Sequence, residues 1–188
     1  RFLNLPDEQM QVIDDYLKSG RPVLGLRSSN HGFKIDPESK WAHYDWQYEG
    51  PKTEWHGGFG QMVYGGKFID HHGTKLKQST RGIAISEQKN HPILNGIAEK
   101  EIWGPTFVYG VNVPLRSDCE VLFYGQVLDG MTKDSPPLGP GPYPEHEKRS
   151  PLSLAPNAKG KNDPMMPLAW TSTYQLPSGQ KGRAFHTT

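Results

Sequence analysis

Apolar positions near the start of the chain predict a helix that leads into a strand. Hydrophobic residues recur there at helical spacing, and Pro6 suits a first helical turn, so we expect a helix from about Pro6 to Lys18. Residues 22–26 are apolar without alternation, a pattern typical of a strand that is covered on both faces. A tight turn at Arg27 and the start of another helix are expected to follow this strand.

The rest of the pattern predicts one short helix, several strands and a long surface segment. The helix is expected around 61–64, and the strands are expected at 81–86, 102–113, 120–128, 166–175 and 182–188. The residues Pro-Ser-Gly-Gln-Lys between the last two strands indicate an antiparallel hairpin. Residues 129–163 are rich in Pro, Gly and Lys without a period, which predicts a surface excursion.

Together these elements favour an α/β fold. We expect an open, mostly parallel sheet with helices on both faces and a late antiparallel hairpin. A parallel strand needs neighbours, so a chain that opens on a helix and a buried strand is expected to lack preceding strands. The length of 188 residues suits a single domain over 1–188.

Charge and cysteine content exclude several kinds of partner and site. The net charge is +1 without a run of Lys or Arg, which argues against nucleic acid as a partner. No apolar run is long enough for a membrane span. Cys119 is the one cysteine, so neither an intrachain disulfide nor a thiolate zinc cage can form. Because Arg1 is not an initiator residue, we expect a periplasmic or secreted protein if a leader was removed, and a cytoplasmic one otherwise.

The turn at Arg27 is the first candidate site, because ligands of open α/β sheets bind at strand ends. A nucleophile elbow would carry Cys or Ser at its apex, whereas this turn carries Arg27, followed by Ser28, Ser29 and His31. A guanidinium beside hydroxyl donors suits a carboxylate, a phosphate or a vicinal hydroxyl pair better than a covalent acyl intermediate. The alternative for Arg27 is an internal salt bridge.

Aromatic residues supply a second group of candidates. The segment 30–73 is rich in Trp, Tyr, His and Gly, and is too aromatic for a disordered linker. Either its rings pack a long loop onto the domain, or Trp55 and its neighbours form a wall for a sugar or another flat ligand. Glu101 and Trp103 stand at the head of a predicted strand, where they could face the same crevice as Arg27.

Histidines and one carboxylate are candidates for metal binding or proton transfer. They are His31, His56, Asp70, His71 and His72. Such side chains could coordinate zinc or another divalent metal, or shuttle protons. None shows the i, i+4 spacing of a helical metal motif, and the adjacent His71 and His72 point to opposite faces of an extended strand. The alternative is that these histidines are structural hydrogen-bond donors.

Four segments taken together resemble a known family. They are 21–33 (Arg-Pro-Val-Leu-Gly-Leu-Arg-Ser-Ser-Asn-His-Gly-Phe), 65–71 (Gly-Gly-Lys-Phe-Ile-Asp-His), 91–97 (His-Pro-Ile-Leu-Asn-Gly-Ile) and 166–174 (Met-Pro-Leu-Ala-Trp-Thr-Ser-Thr-Tyr), the last followed by 182–188. In order and spacing they are similar to the ThuA-like (trehalose-utilisation) family, whose fold is that of the class I glutamine amidotransferase domain, a flavodoxin-like arrangement. Members begin with a further strand-helix-strand portion and end with a last helix, so the resemblance implies a domain truncated at both ends. Arg27 stands where the amidotransferase relatives carry their Cys nucleophile, so glutamine amidotransferase activity is not expected.

The resemblance implies a role in carbohydrate utilisation, with glycosides or keto-glycosides as substrates and without a Cys nucleophile. In the enzyme hypothesis, a sugar hydrolase or lyase, Arg27 orients the substrate, and His31 and His71 act as acid–base residues or as ligands of a divalent metal such as zinc. The expected substrate-binding residues are Ser28, Ser29, Trp55, Glu101 and Trp103. The alternative is a non-catalytic sugar-binding or assembly module. A third hypothesis is a chain that forms a homo-oligomer or is completed by another polypeptide.

Overall fold

Strands outnumber helices in the computed structural model, which describes residues 2–98, 101–142 and 158–188. Strand residues make up 29% of the structure and helical residues 21%. The helix α1 spans Asp7–Lys18. The strands are β1 (Val23–Leu26), β2 (Phe68–His72), β3 (Ser79–Ala84), β4 (Trp103–Gly104), β5 (Val108–Val111), β6 (Glu120–Leu128), β7 (Met166–Tyr174) and β8 (Gly182–Thr187).

The expected α/β fold, an open and mostly parallel sheet with helices on both faces, is wrong. β1 pairs in parallel with β8, but β3 pairs antiparallel with both β4 and β6. The reason lies in the connections, because parallel strands are ordinarily joined through an α-helix. After β1 the chain instead forms short 3₁₀ turns at Ala42–Tyr44 and Thr53–Trp55 and a π-helical turn at Gly60–Tyr64. The flavodoxin-like arrangement implied by the resemblance is also wrong, because it requires the same parallel strands and connecting helices.

The chain divides into two compact units. The first unit comprises Arg1–Phe68, Pro114–Glu120 and Thr171–Thr187. The second unit comprises Ile69–Val113, Val121–Trp170 and Thr188.

In the first unit, the predicted helix and the strand after it are confirmed. α1 starts after Pro6 with acidic residues in its first turn and ends with Lys18 in its last, which complements the helix dipole. It buries Met10 and Leu17 on one face. In this unit β1 lies at the edge of its sheet and pairs in parallel with β8, from Val23↔Ala184 to Leu26↔Thr187.

β1 does not have the double cover that its apolar composition predicts. Gly25 is buried, but Leu24 and Leu26 on the other face remain 66% and 58% exposed. Leu24 and Leu26 lie on the same face of the strand, and the described residues leave this face largely uncovered.

In the second unit β3 lies between β6 and β4 and pairs antiparallel with both. Its register with β6 runs from Ser79↔Leu128 to Ala84↔Phe123. β2 and β5 form a separate two-stranded sheet. The β6 bounds match the predicted strand 120–128, and the predicted strand 102–113 is split into β4 and β5.

The predicted surface excursion is described in part. Residues 143–157 lie outside the described residues, while 129–142 and 158–163 contain turns and isolated β-bridges. The side chain of Asn162 ties this segment to β6, because it accepts from the Val127 N–H at 2.7 Å and donates to the Val127 and Leu138 carbonyls. None of the helices in the described residues is long and apolar enough to span a membrane.

Candidate functional site

The predicted tight turn at the end of β1 is confirmed. Arg27 has a φ of 51°, a left-handed conformation that non-glycine residues seldom adopt, and it begins the 3₁₀ turn Arg27–His31. Strained backbone of this kind is concentrated at functional sites. β1 and β8 run in parallel with Leu26 opposite Thr187, so their carboxyl ends lie side by side at the same end of the sheet.

Polar residues from three elements of the first unit lie at this end of the sheet. We name them the strand-end cluster: Arg27, Ser29, Asn30, His31, Tyr64 and His186. The first four lie in the 3₁₀ turn, Tyr64 ends the π-helical turn, and His186 lies on β8.

Gly25 makes room for two members of the strand-end cluster. A Cβ at this position would lie 2.5 Å from Nδ1 of His186 and 2.6 Å from the ring of Tyr64. The two rings stack with their centroids 4.6 Å apart and an interplanar angle of 28°. The glycine in β1 is therefore required by this close approach.

His186 is a neutral imidazole inside the cluster. Burial, with a smaller contribution from His31, lowers its pKa to about 3. Its Nδ1 lies 3.4 Å from the hydroxyl of Ser29, which also hydrogen-bonds the Tyr64 side chain. An imidazole of such low pKa is a weak base, so this Ser–His pair is poorly suited to activate a nucleophile.

His31 lies against aromatic rings at the outer side of the turn. Its ring stacks on Phe68 with a centroid distance of 3.9 Å and an angle of 24°. Phe2, 51% exposed, stacks on Trp46 at 5.9 Å, and both rings lie within 6.4 Å of His31. We name Phe2 and Trp46 the aromatic platform.

Asn30 is the buried polar residue of the turn. Its side chain is held against His31, with Oδ1 and Nδ1 2.8 Å apart. Asn30 is 1% exposed, and its Nδ2 has no hydrogen-bond acceptor among the described residues. A buried amide donor without an acceptor is costly, so such groups call for an explanation.

The structure places the predicted site residues in both units. Arg27, Ser28, Ser29 and His31 are together in the 3₁₀ turn of the first unit. Trp55 also belongs to the first unit, but it is 2% exposed and packs against His43, with ring centroids 4.6 Å apart. The interpretation of the aromatic segment as packing therefore holds for Trp55.

His71, Glu101 and Trp103 belong to the second unit. His71 is exposed on β2, with its ring 4.8 Å from that of Phe107. The carboxylate of Glu101 accepts a hydrogen bond from the Ala98 N–H at 2.9 Å. The indole of Trp103 donates to the Ser79 hydroxyl at 3.2 Å.

The thiol of Cys119 is held in its protonated form. Burial, with the nearby Asp118 carboxylate, raises its pKa to about 11, and its Sγ lies 3.5 Å from the Tyr64 carbonyl. A thiol that stays protonated is a poor nucleophile at neutral pH.

Among the described residues, no group of three or more His, Cys, Asp or Glu side chains is arranged to hold a metal ion. The zinc site considered from the sequence therefore has no assembled set of ligands within these residues. His31 and His71 stay individual candidates.

Sequence reasoning named Asn30 as a possible donor beside Arg27, but it missed Tyr64 and His186 as members of the site. His186 had one usable signal, a histidine at a buried position of an otherwise alternating strand. Tyr64 had none, because only the turn in the chain brings its ring beside β1 and β8.

Comparisons with known proteins add no relative. No protein-family model, no curated protein and no solved structure matches this chain.

Proposed function

We propose that this chain binds a small carbohydrate at the strand-end cluster, in line with its resemblance to ThuA-like proteins. The observation that carries the proposal is the meeting of a polar turn and an exposed aromatic platform at the shared end of β1 and β8. Sugars present apolar C–H faces and hydroxyl groups together, and a site of this composition offers partners for both.

The aromatic platform would take the face of a sugar ring. Phe2 is half exposed and lies nearly parallel to Trp46, at an angle of 13°. Aromatic side chains supply a large apolar contact for the C–H face of a sugar ring.

The polar turn would take the hydroxyl groups. The Ser29 hydroxyl and the His31 imidazole in this turn are half-buried and would exchange hydrogen bonds with ligand hydroxyl groups, while the buried Asn30 side chain holds the His31 ring in place. Arg27 begins the same turn and carries a planar set of donors suited to vicinal hydroxyl groups.

Isothermal titration with methyl α-D-glucopyranoside, trehalose and a keto-glycoside tests the proposal. We expect saturable heat for at least one of them, and a loss of about tenfold in affinity in Phe2→Ala, the size of one aromatic contact. Ile93→Ala removes a similarly exposed apolar side chain in the second unit and is the matched control. Unchanged affinity in Phe2→Ala, or the absence of binding to all three ligands, contradicts the proposal.

A second candidate function is acid–base conversion of a glycoside or keto-glycoside. The half-buried imidazole of His31, positioned by Asn30 beside the platform, favours it. Product formation followed by NMR separates the two candidates. If wild type forms product and His31→Gln binds the ligand without turnover, the chain is an enzyme; binding without product in wild type shows a binding module.

A further inference from the structure

A cavity lies in the first unit, and the strand-end residues do not line it. Its volume is about 190 Å³, and its polar lining consists of Asp14, Lys18, His43, Lys52 and Glu54. Trp55, Leu176 and Pro177 complete the wall. At about 30 Å³ for each water, the space equals roughly six water molecules, which is smaller than sites for drug-sized ligands.

Asp14 brings a carboxylate into this wall at a buried position. The residue is 4% exposed, and its Oδ1 accepts from the Tyr44 hydroxyl at 2.8 Å. Its Oδ2 lies 2.7 Å from the Lys18 ammonium. A buried carboxylate needs such partners, and here they fix its direction against the cavity wall.

His43 is the second buried polar residue of the wall. It is 7% exposed, and its Nδ1 lies 3.2 Å from the Lys52 ammonium. Burial, and next the charge of Lys52, lower its pKa to about 4, so the imidazole is neutral at neutral pH. Its ring is held edge-to-face against Trp55, with the centroids 4.6 Å apart.

The charges of the wall cancel. Lys18 and Lys52 supply two ammonium groups, and Asp14 and Glu54 supply two carboxylates. A simple anion would meet the carboxylates and a simple cation the ammonium groups, each at an electrostatic cost. A hydroxyl group both donates and accepts, so it can bridge a carboxylate and an ammonium at the same time.

We propose that this cavity is a binding site for a small neutral polyol, such as one sugar ring or a cyclitol. The ligand's hydroxyl groups hydrogen-bond Lys52, Glu54 and Asp14, and its C–H groups contact Leu176 and Pro177. The site is separate from the strand-end cluster and does not depend on the function proposed there.

Saturation-transfer NMR and calorimetry with myo-inositol and methyl α-D-glucopyranoside as probes test this inference. We expect saturable binding of at least one probe, weakened about tenfold or more in Lys52→Gln and in Glu54→Gln, the size expected for one hydrogen bond to a charged group. Both positions are exposed, so neither substitution removes a core side chain. Glu38→Gln, an exposed carboxylate outside the lining, is the matched control.

The outcomes separate this site from the first. Phe2→Ala is expected to leave the part of the binding that depends on Lys52 and Glu54 unchanged. Wild-type affinity in both Lys52→Gln and Glu54→Gln overturns the inference, whatever happens at the strand-end cluster. Binding of acetate, phosphate or glycine that depends on these two residues, without polyol binding, also overturns it, because the site is then ionic.

Discussion

The ring of Tyr64 stacks on the imidazole of His186, 4.6 Å away, in the space that Gly25 leaves open beside β1. A residue from a turn and a residue from β8 thus meet across a strand position that has no side chain. Ser29 hydrogen-bonds both of these side chains, so the contact also positions the Ser29 hydroxyl in the strand-end cluster.

Gly25→Ala should destabilise the protein. The new methyl would lie 2.5 Å from His186 Nδ1 and 2.6 Å from the Tyr64 ring, so one of the rings must move. Overpacking of this kind costs about 1–3 kcal/mol in the free energy of unfolding. Urea denaturation followed by Trp fluorescence measures the change. Gly139→Ala is the control, since a Cβ there meets nothing within 4 Å, and equal stability of the two variants would contradict the packing described.

The stability of the protein should fall in acid partly through His186. Its pKa is about 3 in the folded protein, against 6.5 for a solvated histidine, so below pH 6.5 the unfolded chain binds a proton that the folded chain does not. The contribution is fully present above pH 6.5 and is lost as the pH falls from 6.5 toward 3. When the unfolded chain binds one proton more than the folded chain, the free energy of unfolding falls by up to about 1.4 kcal/mol for each pH unit.

Unfolding free energies of wild type and His186→Gln between pH 7.5 and 4.5 check this prediction. The variant should lose stability less steeply, even if it is less stable throughout. His43→Gln is a second test of the same effect. The pKa of His43 is about 4 in the folded protein, so this variant should also lose stability less steeply in acid than wild type. An NMR titration in which the His186 ring protonates near pH 6.5 in the folded state would sink the prediction.

Arg116 should be important for stability rather than for binding. Its guanidinium donates to the Gln61 carbonyl at 2.7 Å, the Met62 carbonyl at 2.8 Å and the Thr173 carbonyl, and it pairs with Asp118. Arg116→Met leaves these acceptors without their donor and should cost about 2–4 kcal/mol.

Arg116→Lys should restore little of this stability, because one ammonium cannot replace a planar fork of donors. Chemical denaturation of both variants measures the effect, with the exposed Arg183→Met as the control. Stability within 0.5 kcal/mol of wild type in Arg116→Met, about the range of ordinary surface substitutions, contradicts the role given to this residue.

The ionised carboxylate of Asp118 should also contribute to the free energy of unfolding, and this contribution should be lost in acid. Burial opposes its ionisation, but hydrogen bonds from Arg116 and Thr173 outweigh burial and hold its pKa well below the usual range. Its contribution is present above the unfolded pKa of about 3.9 and is lost as the pH falls below that value. Asp118→Asn should therefore flatten the stability curve of the protein below about pH 4, which acid denaturation of the two proteins measures.

Cys119 should react slowly with alkylating reagents. Its pKa of about 11 leaves little thiolate at pH 7.5, and the thiol is partly shielded by the chain around Tyr64. Iodoacetamide labelling followed by mass spectrometry should run at least about tenfold slower in the folded protein than in urea, because the unfolded chain gives the thiol its ordinary pKa and therefore more thiolate. Labelling at equal rates in both states would show that the thiol is open to solvent.

Local elements of the fold could be predicted from the sequence, because their signals depend on near neighbours. The helical spacing of apolar residues gave α1, and alternating or apolar runs gave β1, β6, β7 and β8 within a residue or two at their ends. The tight turn at Arg27 was also predictable, since a short apolar run stops there and small polar residues follow.

The arrangement of these elements could not be predicted in the same way. An apolar run such as that of β1 predicts cover on both faces, but cover depends on which other segments pack there, and here the face that carries Leu24 and Leu26 is exposed. The segment after β1 contains no long helical pattern, which a crossover between parallel strands ordinarily needs, but it does not show which distant strands pair. The pairing of β1 with β8 and of β3 with β4 and β6 makes the sheet mixed.

For the candidate sites, the sequence by itself determined the chemistry that each short segment carries. The residues Arg27, Ser29, Asn30 and His31 are neighbours in the chain, and a 3₁₀ turn keeps them together. Only the tertiary structure decided that His186 and Tyr64 join them, that Trp55 is buried, and that Asp14 and His43 line one cavity. The physical reason is that turns and strands form through contacts between near neighbours, whereas burial, pKa and cavity walls arise from residues far apart in the chain.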